Sequence, residues 1–194
     1  LGVNEGIMEW IQSIDIKILT GLRDVFNSPW LDKPMMFISK LGDSGFLWIA
    51  LAVIFFLVGN KKKPWRSWGI LLAASLGANA LLCNVVLKPM VGRIRPYDLL
   101  GYEVLVSHLS DFSFPSGHTS ASFAGATAIY AMNKKWGIAA FVFATLMGFS
   151  RLYLGVHFPT DVLVGAFLGW AMASITIIVF KRCTSENKCR IKSN

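Results

Sequence analysis

The chain has 194 residues, of which 54% are hydrophobic and only 15% charged, with a mean hydropathy of +0.53. That balance excludes an ordinary soluble domain and fits an integral membrane protein. A net charge of +8 would point to nucleic acid in a soluble protein; on so apolar a chain it points to basic loops and anionic lipid, and no nucleic-acid partner is expected.

Residues 5–26 come first. Ile7, Ile11, Ile14, Ile18, Leu22 and Val25 recur every three or four positions and make one helical stripe. Glu9, Asp15, Lys17, Arg23 and Asp24 take other positions, too much charge for a span. The segment reads as an amphipathic helix lying in the membrane interface, with docking on the bundle as the alternative. Asn27, Ser28 and Pro29 end it. No basic stretch leading into a short apolar core and cleavage site opens the chain, so no signal peptide is read, and Leu1 is compatible with a trimmed or processed start.

Five apolar runs follow: Gly45–Gly59, Trp68–Leu87, His118–Met132, Trp136–Phe149 and Val162–Phe180. The second and fifth reach the roughly 20 residues that a span needs, and the others do so with flanking residues. No repeat or low-complexity linker divides them, so residues 1–194 read as one domain. The expected fold is all-α: a polytopic bundle of five transmembrane helices plus the interfacial helix, with six spans possible.

Alternating the runs puts Lys61, Lys62, Lys63, Arg66, Lys134, Lys135 and the tail residues Lys181, Arg182, Lys188, Arg190 and Lys192 on one side. The richer side in short-loop positive charge is the cytoplasmic one. The 88–115 loop, the 150–161 loop and the N-terminal helix then face outward from a plasma membrane. Cys83 lies in an apolar run and Cys183 and Cys189 in a polar tail; no disulfide framework emerges and all read as free thiols.

Three clusters fall on the outward side. "KPMVGRIRP" carries Lys88, Arg95 and Pro96; "PSGH" is Pro115 to His118; "SRLYLGVHFPTD" carries Ser150, Arg151, His157 and Asp161. Each charge drawn into the apolar region costs roughly 2.5–3.5 kcal/mol, so converging cations and imidazoles call for a multiply charged anion, and phosphate fits best. Pro115 suits a first helical turn, where the N–H groups of Ser116, Gly117 and His118 lack intrahelical partners and face an anion along the helix dipole. Gly117 admits close approach and Ser116 can add a hydroxyl. His157 and Asp161, four residues apart around Pro159, let a carboxylate fix one imidazole nitrogen and free the other to attack. Arg151 can grip two oxygens at once.

In this order and spacing, Lys88, Arg95, Pro96, Pro115, Ser116, Gly117, His118, Ser150, Arg151, His157 and Asp161 resemble the signature of the type 2 phosphatidic acid phosphatase superfamily. That superfamily includes bacterial phosphatidylglycerophosphate and undecaprenyl-diphosphate phosphatases and vanadium haloperoxidases. The resemblance covers residues 88–161; many membrane members have six spans, where five plus an amphipathic helix are counted here. It implies a bacterial, metal-free and cofactor-free phosphatase working in two steps. His157 forms a phosphohistidine, Lys88, Arg95, Arg151 and the Ser116–Gly117 cradle stabilise the equatorial oxygens, and His118 protonates the leaving oxygen.

The expected substrate is a lipid phosphate monoester of phosphatidylglycerophosphate or phosphatidic acid type. Undecaprenyl diphosphate is the alternative, lipid A a third possibility, and a non-catalytic lipid or anion transporter the rival from another class. A protonated His118 and a neutral His157 predict a bell-shaped pH–rate profile. His108 and Arg93 receive no role. Asn79 and Asn84 read as bonds between helices, and Gly165 and Gly169 as close packing within the chain rather than dimerisation.

Overall fold

The structure, a computed structural model, describes residues 2–26, 28–59 and 64–192, without the side chains of 2–5, 7 and 186–192. Expectations placed on Leu1, Asn27, Lys61, Lys62 and Lys63, and on the side chains of Ile7, Lys188, Cys189, Arg190 and Lys192, lie outside the described residues. Among those described, every regular element is a helix. In order they are α1 (Gly2–Phe26), α2 (Pro29–Leu41), α3 (Phe46–Val58), α4 (Trp65–Ala80), a π-helical stretch Leu81–Leu87, α5 (Lys88–Val91), α6 (Pro96–Leu100), α7 (Gly117–Met132), α8 (Lys134–Tyr153) and α9 (Pro159–Lys192).

Trp65–Leu100, Lys134–Tyr153 and Pro159–Ser185 are each long and apolar enough to cross a membrane. A fourth crossing forms if α2 and the segment Asp43–Val58, bent by 46°, act as one broken span. Helix α2 was not legible in the sequence, because Asp32, Lys33, Pro34 and Lys40 interrupt its apolar residues. The bend falls at Gly42–Gly45, where Gly45 takes the left-handed φ of +69° that a side chain rarely adopts.

Helix α7 has 16 residues, about 24 Å of rise, short of the roughly 30 Å hydrocarbon core. It is enclosed by α4, α8 and α9 rather than by lipid. Lipid tails are as apolar as leucine, so close contact between helices has to supply the stability. Small residues allow it: Gly165 and Gly169 of α9 lie against the α7 backbone at Ser116 and Ser120, and Gly125 of α7 lies against the Trp48 ring of α3. The Trp48 indole N–H donates to Ser122 at 3.2 Å, and Asn79 of α4 donates to Ser120 at 3.1 Å.

Helix α1 docks on this bundle, with Asp15 and Leu19 fully buried. Ile18 and Val25 of the expected stripe are exposed, as are Met8, Trp10 and Phe26. Bundle contact therefore runs along a mixed edge that includes Asp15 and Leu19 with Ile11, Ile14 and Leu22 half-buried, while Glu9, Lys17 and Asp24 stay exposed. Cys83 is buried and Cys183 exposed, both free.

Candidate active site

The third cluster is built on the turn between α8 and α9. His157 is 1% exposed and Asp161 fully buried. Asp161 Oδ2 lies 3.6 Å from His157 Nδ1, longer than a hydrogen bond. That oxygen instead accepts from Ser113 Oγ at 2.5 Å and from the Phe158 N–H at 2.8 Å. Ser113 Oγ is itself 3.4 Å from Nδ1, so the carboxylate and the hydroxyl together face that side of the ring. Nε2 points toward Arg95 Nη1 at 3.4 Å. Burial lowers the His157 pKa most; Asp161 opposes it and the Arg151 and Arg95 charges push it down again, leaving it at about 3. The ring is neutral near pH 7 and has one free nitrogen.

The first cluster comes from the end of the α4 span. A π-helical stretch widens the helix just before Lys88, a departure that often marks functional positions. Lys88 is 6% and Arg95 2% exposed. The anion demanded by these cations is supplied within the chain: Asp111 pairs with Lys88 and accepts from Arg95 Nη2 at 2.6 Å. Burial raises the Asp111 pKa, but the hydrogen bonds and charges of Lys88 and Arg95 outweigh that and hold it at about 2. Arg95 also donates to the backbone C=O of Asp111 and of Val156, each at 2.8 Å.

The second cluster starts α7 two residues later than expected. Pro115 precedes the helix, Ser116 is the N-cap and Gly117 the first helical residue. The Ser116 N–H donates to the Asp161 C=O at 3.0 Å, and its hydroxyl pairs with Thr119 Oγ1 at 2.9 Å. The Ser116 N–H therefore ties α7 to α9 instead of facing a ligand, while its hydroxyl can either donate to Thr119 or accept from it. The first helical bond runs from Ser120 to Ser116, so Gly117 and His118 keep N–H groups without intrahelical partners. Close approach is real at Gly117: an added Cβ would stand 3.2 Å from Asn84 Oδ1 and 3.9 Å from Lys88 Nζ. His118 Nε2 lies 3.0 Å from Asp43 Oδ1.

Arg151 reaches in from α8. It is 2% exposed, and Nη1 donates to Ser39 of α2. Nε and Nη2 are buried with no partner. A guanidinium in that state is costly unless an anion joins it.

Ser39, Asp43, Arg93, Asp111 and Ser113 were not found from the sequence. Asp111 and Ser113 stand within five residues of "PSGH", which was the one available signal. Arg93 holds Asp161 Oδ1 at 2.7 Å, and His108 packs its ring edgewise on Tyr97 at 4.7 Å.

A cavity of about 1400 Å³ opens from this end of the bundle and runs between α3 and α4. Lys88, Asp111, Gly117 and His118 line one end. Ile49, Val53 and Phe56 of α3 face Ala73, Ala74 and Gly77 of α4 along the rest. Polar groups thus gather at one end of an otherwise apolar groove, as in a site for an amphiphile.

A family profile described as the PAP2 superfamily matches residues 68–185. The chain is 37% identical over 174 residues to phosphatidylglycerophosphatase B of Bacillus subtilis (strain 168), covering 82% of this chain and 79% of that one. It is 35% identical over 133 residues to the undecaprenyl-diphosphatase BcrC of the same organism, covering 69% and 66%. Among solved structures, a transmembrane PAP2-type phosphatidylglycerolphosphate phosphatase from Bacillus subtilis superimposes with a TM-score of 0.72 at 34% identity, covering 89% of this chain and 87% of that chain.

Proposed function

Because the chain belongs to the PAP2 superfamily and is a membrane lipid phosphatase, we propose that it removes the terminal phosphate from a glycerophospholipid monoester of phosphatidylglycerophosphate or phosphatidic acid type. The groove carries this reading. It joins Lys88 and His118 to an apolar stretch between α3 and α4, so a lipid can present its phosphate while its tails stay among the helices. A soluble phosphate ester would leave that stretch unused.

A phosphohistidine intermediate is general to the family, and the geometry supports the following reading of the residues. The substrate phosphate replaces the Asp111 carboxylate on Lys88 and Arg95 and recruits the two unpartnered nitrogens of Arg151. His157 Nε2 attacks phosphorus as the P–O bond to the lipid breaks. His118 gives its proton to the departing alkoxide. It then takes a proton from the water that cleaves the phosphohistidine, and inorganic phosphate leaves. Burial and the Arg151 charge hold the His118 pKa at about 4; Asp43, beside it, opposes them, and the negative charge of the substrate phosphate adds to that opposition. Arg66, Lys134 and Lys135 sit at the helix ends opposite the site, which supports a plasma-membrane protein with its site on the extracytoplasmic side.

The test is phosphate release by the purified protein in detergent, with a chelator present, from headgroup-matched substrates with different tails. Phosphatidylglycerophosphate or phosphatidic acid is turned over fastest. Undecaprenyl diphosphate as the best substrate would replace this reading with the isoprenyl one, for which the similarity to BcrC speaks. Loss of activity in the chelator would overturn the metal-free mechanism.

The pH profile is a second test. His157 is neutral above about pH 3, and Asp111 is ionised above about 2. Acid therefore disables the nucleophile only as pH falls toward 3, well below the ordinary histidine range. Burial, then the Arg151 charge, lowers the His118 pKa to about 4 against the opposing pull of Asp43, so His118 acts as the acid only when the arriving phosphate raises that value, and the alkaline limb marks where it loses its proton in the loaded site. The expected bell is lopsided, with its alkaline limb absent in His118→Gln. An acid limb near pH 6.5 that vanished with the His157 environment would contradict the assignment.

A further inference from the structure

Helix α1 reaches the nucleophile through one half-buried arginine. Arg93, absent from the reaction as described, spends every guanidinium nitrogen on four residues, two from α1 and two from α9. Nη1 donates to Asp161 Oδ1 at 2.7 Å and to Thr160 Oγ1 at 2.8 Å. Nη2 donates to Asp15 Oδ2 and to Gln12 Oε1 of α1, each at 2.6 Å, and Nε reaches the same Gln12 oxygen at 3.2 Å. The guanidinium lies 4.1 Å from the centre of the Phe158 ring.

Asp15 closes the loop. Its Oδ1 accepts the Thr160 N–H at 3.0 Å and its Oδ2 accepts the Thr160 hydroxyl. Thr160 is the second residue of α9, so a carboxylate from α1 caps the helix whose next residue is Asp161. The division of labour within Asp161 gives this network its meaning. Oδ2 serves Ser113, the Phe158 N–H and the His157 side, while Oδ1 is held by Arg93. The arginine therefore sets the rotation of the carboxylate, and α1 sets the arginine.

We propose that Asp15 and Gln12 of α1, acting through Arg93, are positioning residues that hold the Asp161 carboxylate in register with His157. This rests on the assignment of His157 and Asp161 above. The amphipathic helix is then part of the catalytic apparatus as well as a membrane contact: its inward edge aligns the nucleophile while Met8, Trp10, Ile18 and Val25 face outward.

The experiment uses the full-length protein in detergent, with Asp15→Asn, Arg93→Gln and their double variant. Each is followed by steady-state phosphate release, rapid-quench phosphohistidine and thermal melting. Misplacing a catalytic group by about 1 Å can cost on the order of 10²-fold. Both single variants should lose about that much in kcat and in phosphohistidine formation, with KM within about twofold. The double variant should be no worse than Arg93→Gln alone, because one chain of contacts is being cut twice.

Gln12→Leu guards against misfolding. Gln12 Nε2 is a buried donor with no partner, so leucine removes an unsatisfied group and the Arg93 acceptor together. The gain from removing that group offsets the Arg93 Nε left without its acceptor, so the variant should melt within a few degrees of the parent yet lose about tenfold in kcat. The proposal is overturned if folded Asp15→Asn or Gln12→Leu keeps the parental kcat, if the loss falls on KM, or if the double variant loses the product of the two singles. His157→Ala, run alongside, separates the two levels. Retained activity there would refute the nucleophile itself, whereas a dead His157→Ala beside an unimpaired Asp15→Asn would refute only the role of α1.

Discussion

His157→Ala abolishes phosphate release, with kcat reduced on the order of 10⁴–10⁶-fold, the scale seen when a covalent nucleophile is removed. The ring is 1% exposed and neutral near pH 7 because burial holds its pKa at about 3. It needs no proton removed before it attacks. Ser113 and Asp161 face Nδ1 at 3.4 and 3.6 Å, distances that can tighten once a substrate draws positive charge onto the ring. Nε2 meanwhile sits 3.4 Å from Arg95, the cation that also holds Asp111 and would hold a phosphate oxygen. Phosphate release from lipid and acid-labile, base-stable phosphohistidine in a rapid quench are the measurements, and both disappear together in the variant. Melting stays near the parental value, since alanine removes a ring but leaves no buried charge: Asp161 keeps Arg93, Ser113 and the Phe158 N–H. Release at the parental rate would put the covalent step on another residue, and binding without any turnover in the parent would return the protein to the transporter class.

The clusters that carry this chemistry were legible because they are local. Lys88 to Arg95, Pro115 to His118 and Ser150 to Asp161 are short spacings at helix ends, and the helices are marked by runs of apolar residues. What escaped is long-range. Ser39 meets Arg151 across 112 residues, Asp43 meets His118 across 75, and Asp15 meets Thr160 across 145; no spacing rule reaches that far. Helix α2 escaped because charge and proline break its pattern, although Ser39 near its end bonds Arg151, one of the two buried arginines of the site. Helix α1 was read correctly as amphipathic, and its inward face could not be read the same way. The stripe is split: Ile18 and Val25 face outward, Ile11, Ile14 and Leu22 are half-buried, and the sealed residues are Asp15 and Leu19, a division that periodicity alone does not predict. The charge surplus at the clusters is legible in the sequence, but its partner within the chain is not. It calls for an anion, and Asp111 meets that demand from only a few residues before the cradle.

Arg151→Met should separate activity from stability in opposite directions. The side chain is 2% exposed, has one partner in Ser39, and leaves Nε and Nη2 buried without acceptors. In the ligand-free protein that is a loss: an unsatisfied buried donor costs about 1–3 kcal/mol, and an apolar replacement of similar volume for buried charge is often neutral or stabilising. In the loaded protein the same nitrogens meet phosphate oxygens whose charge grows in the transition state, and losing one such donor set costs about 10²–10³-fold in kcat. Methionine should therefore lower kcat by that factor while leaving the melting temperature unchanged or a few degrees higher. Inorganic phosphate should raise the parental melting temperature and do so less in the variant, because occupancy of the site stabilises the fold in proportion to affinity. Arg151→Lys keeps the charge but not the planar fork, and should recover only part of the rate. A variant that melts well below the parent would mean that Arg151 supports the fold without any anion. Parental turnover in Arg151→Met would mean that its free nitrogens do not meet the substrate at all. The expected pattern identifies Arg151 as a buried cation whose Nε and Nη2 are kept for phosphate oxygens, so that part of the affinity for substrate comes from pairing them.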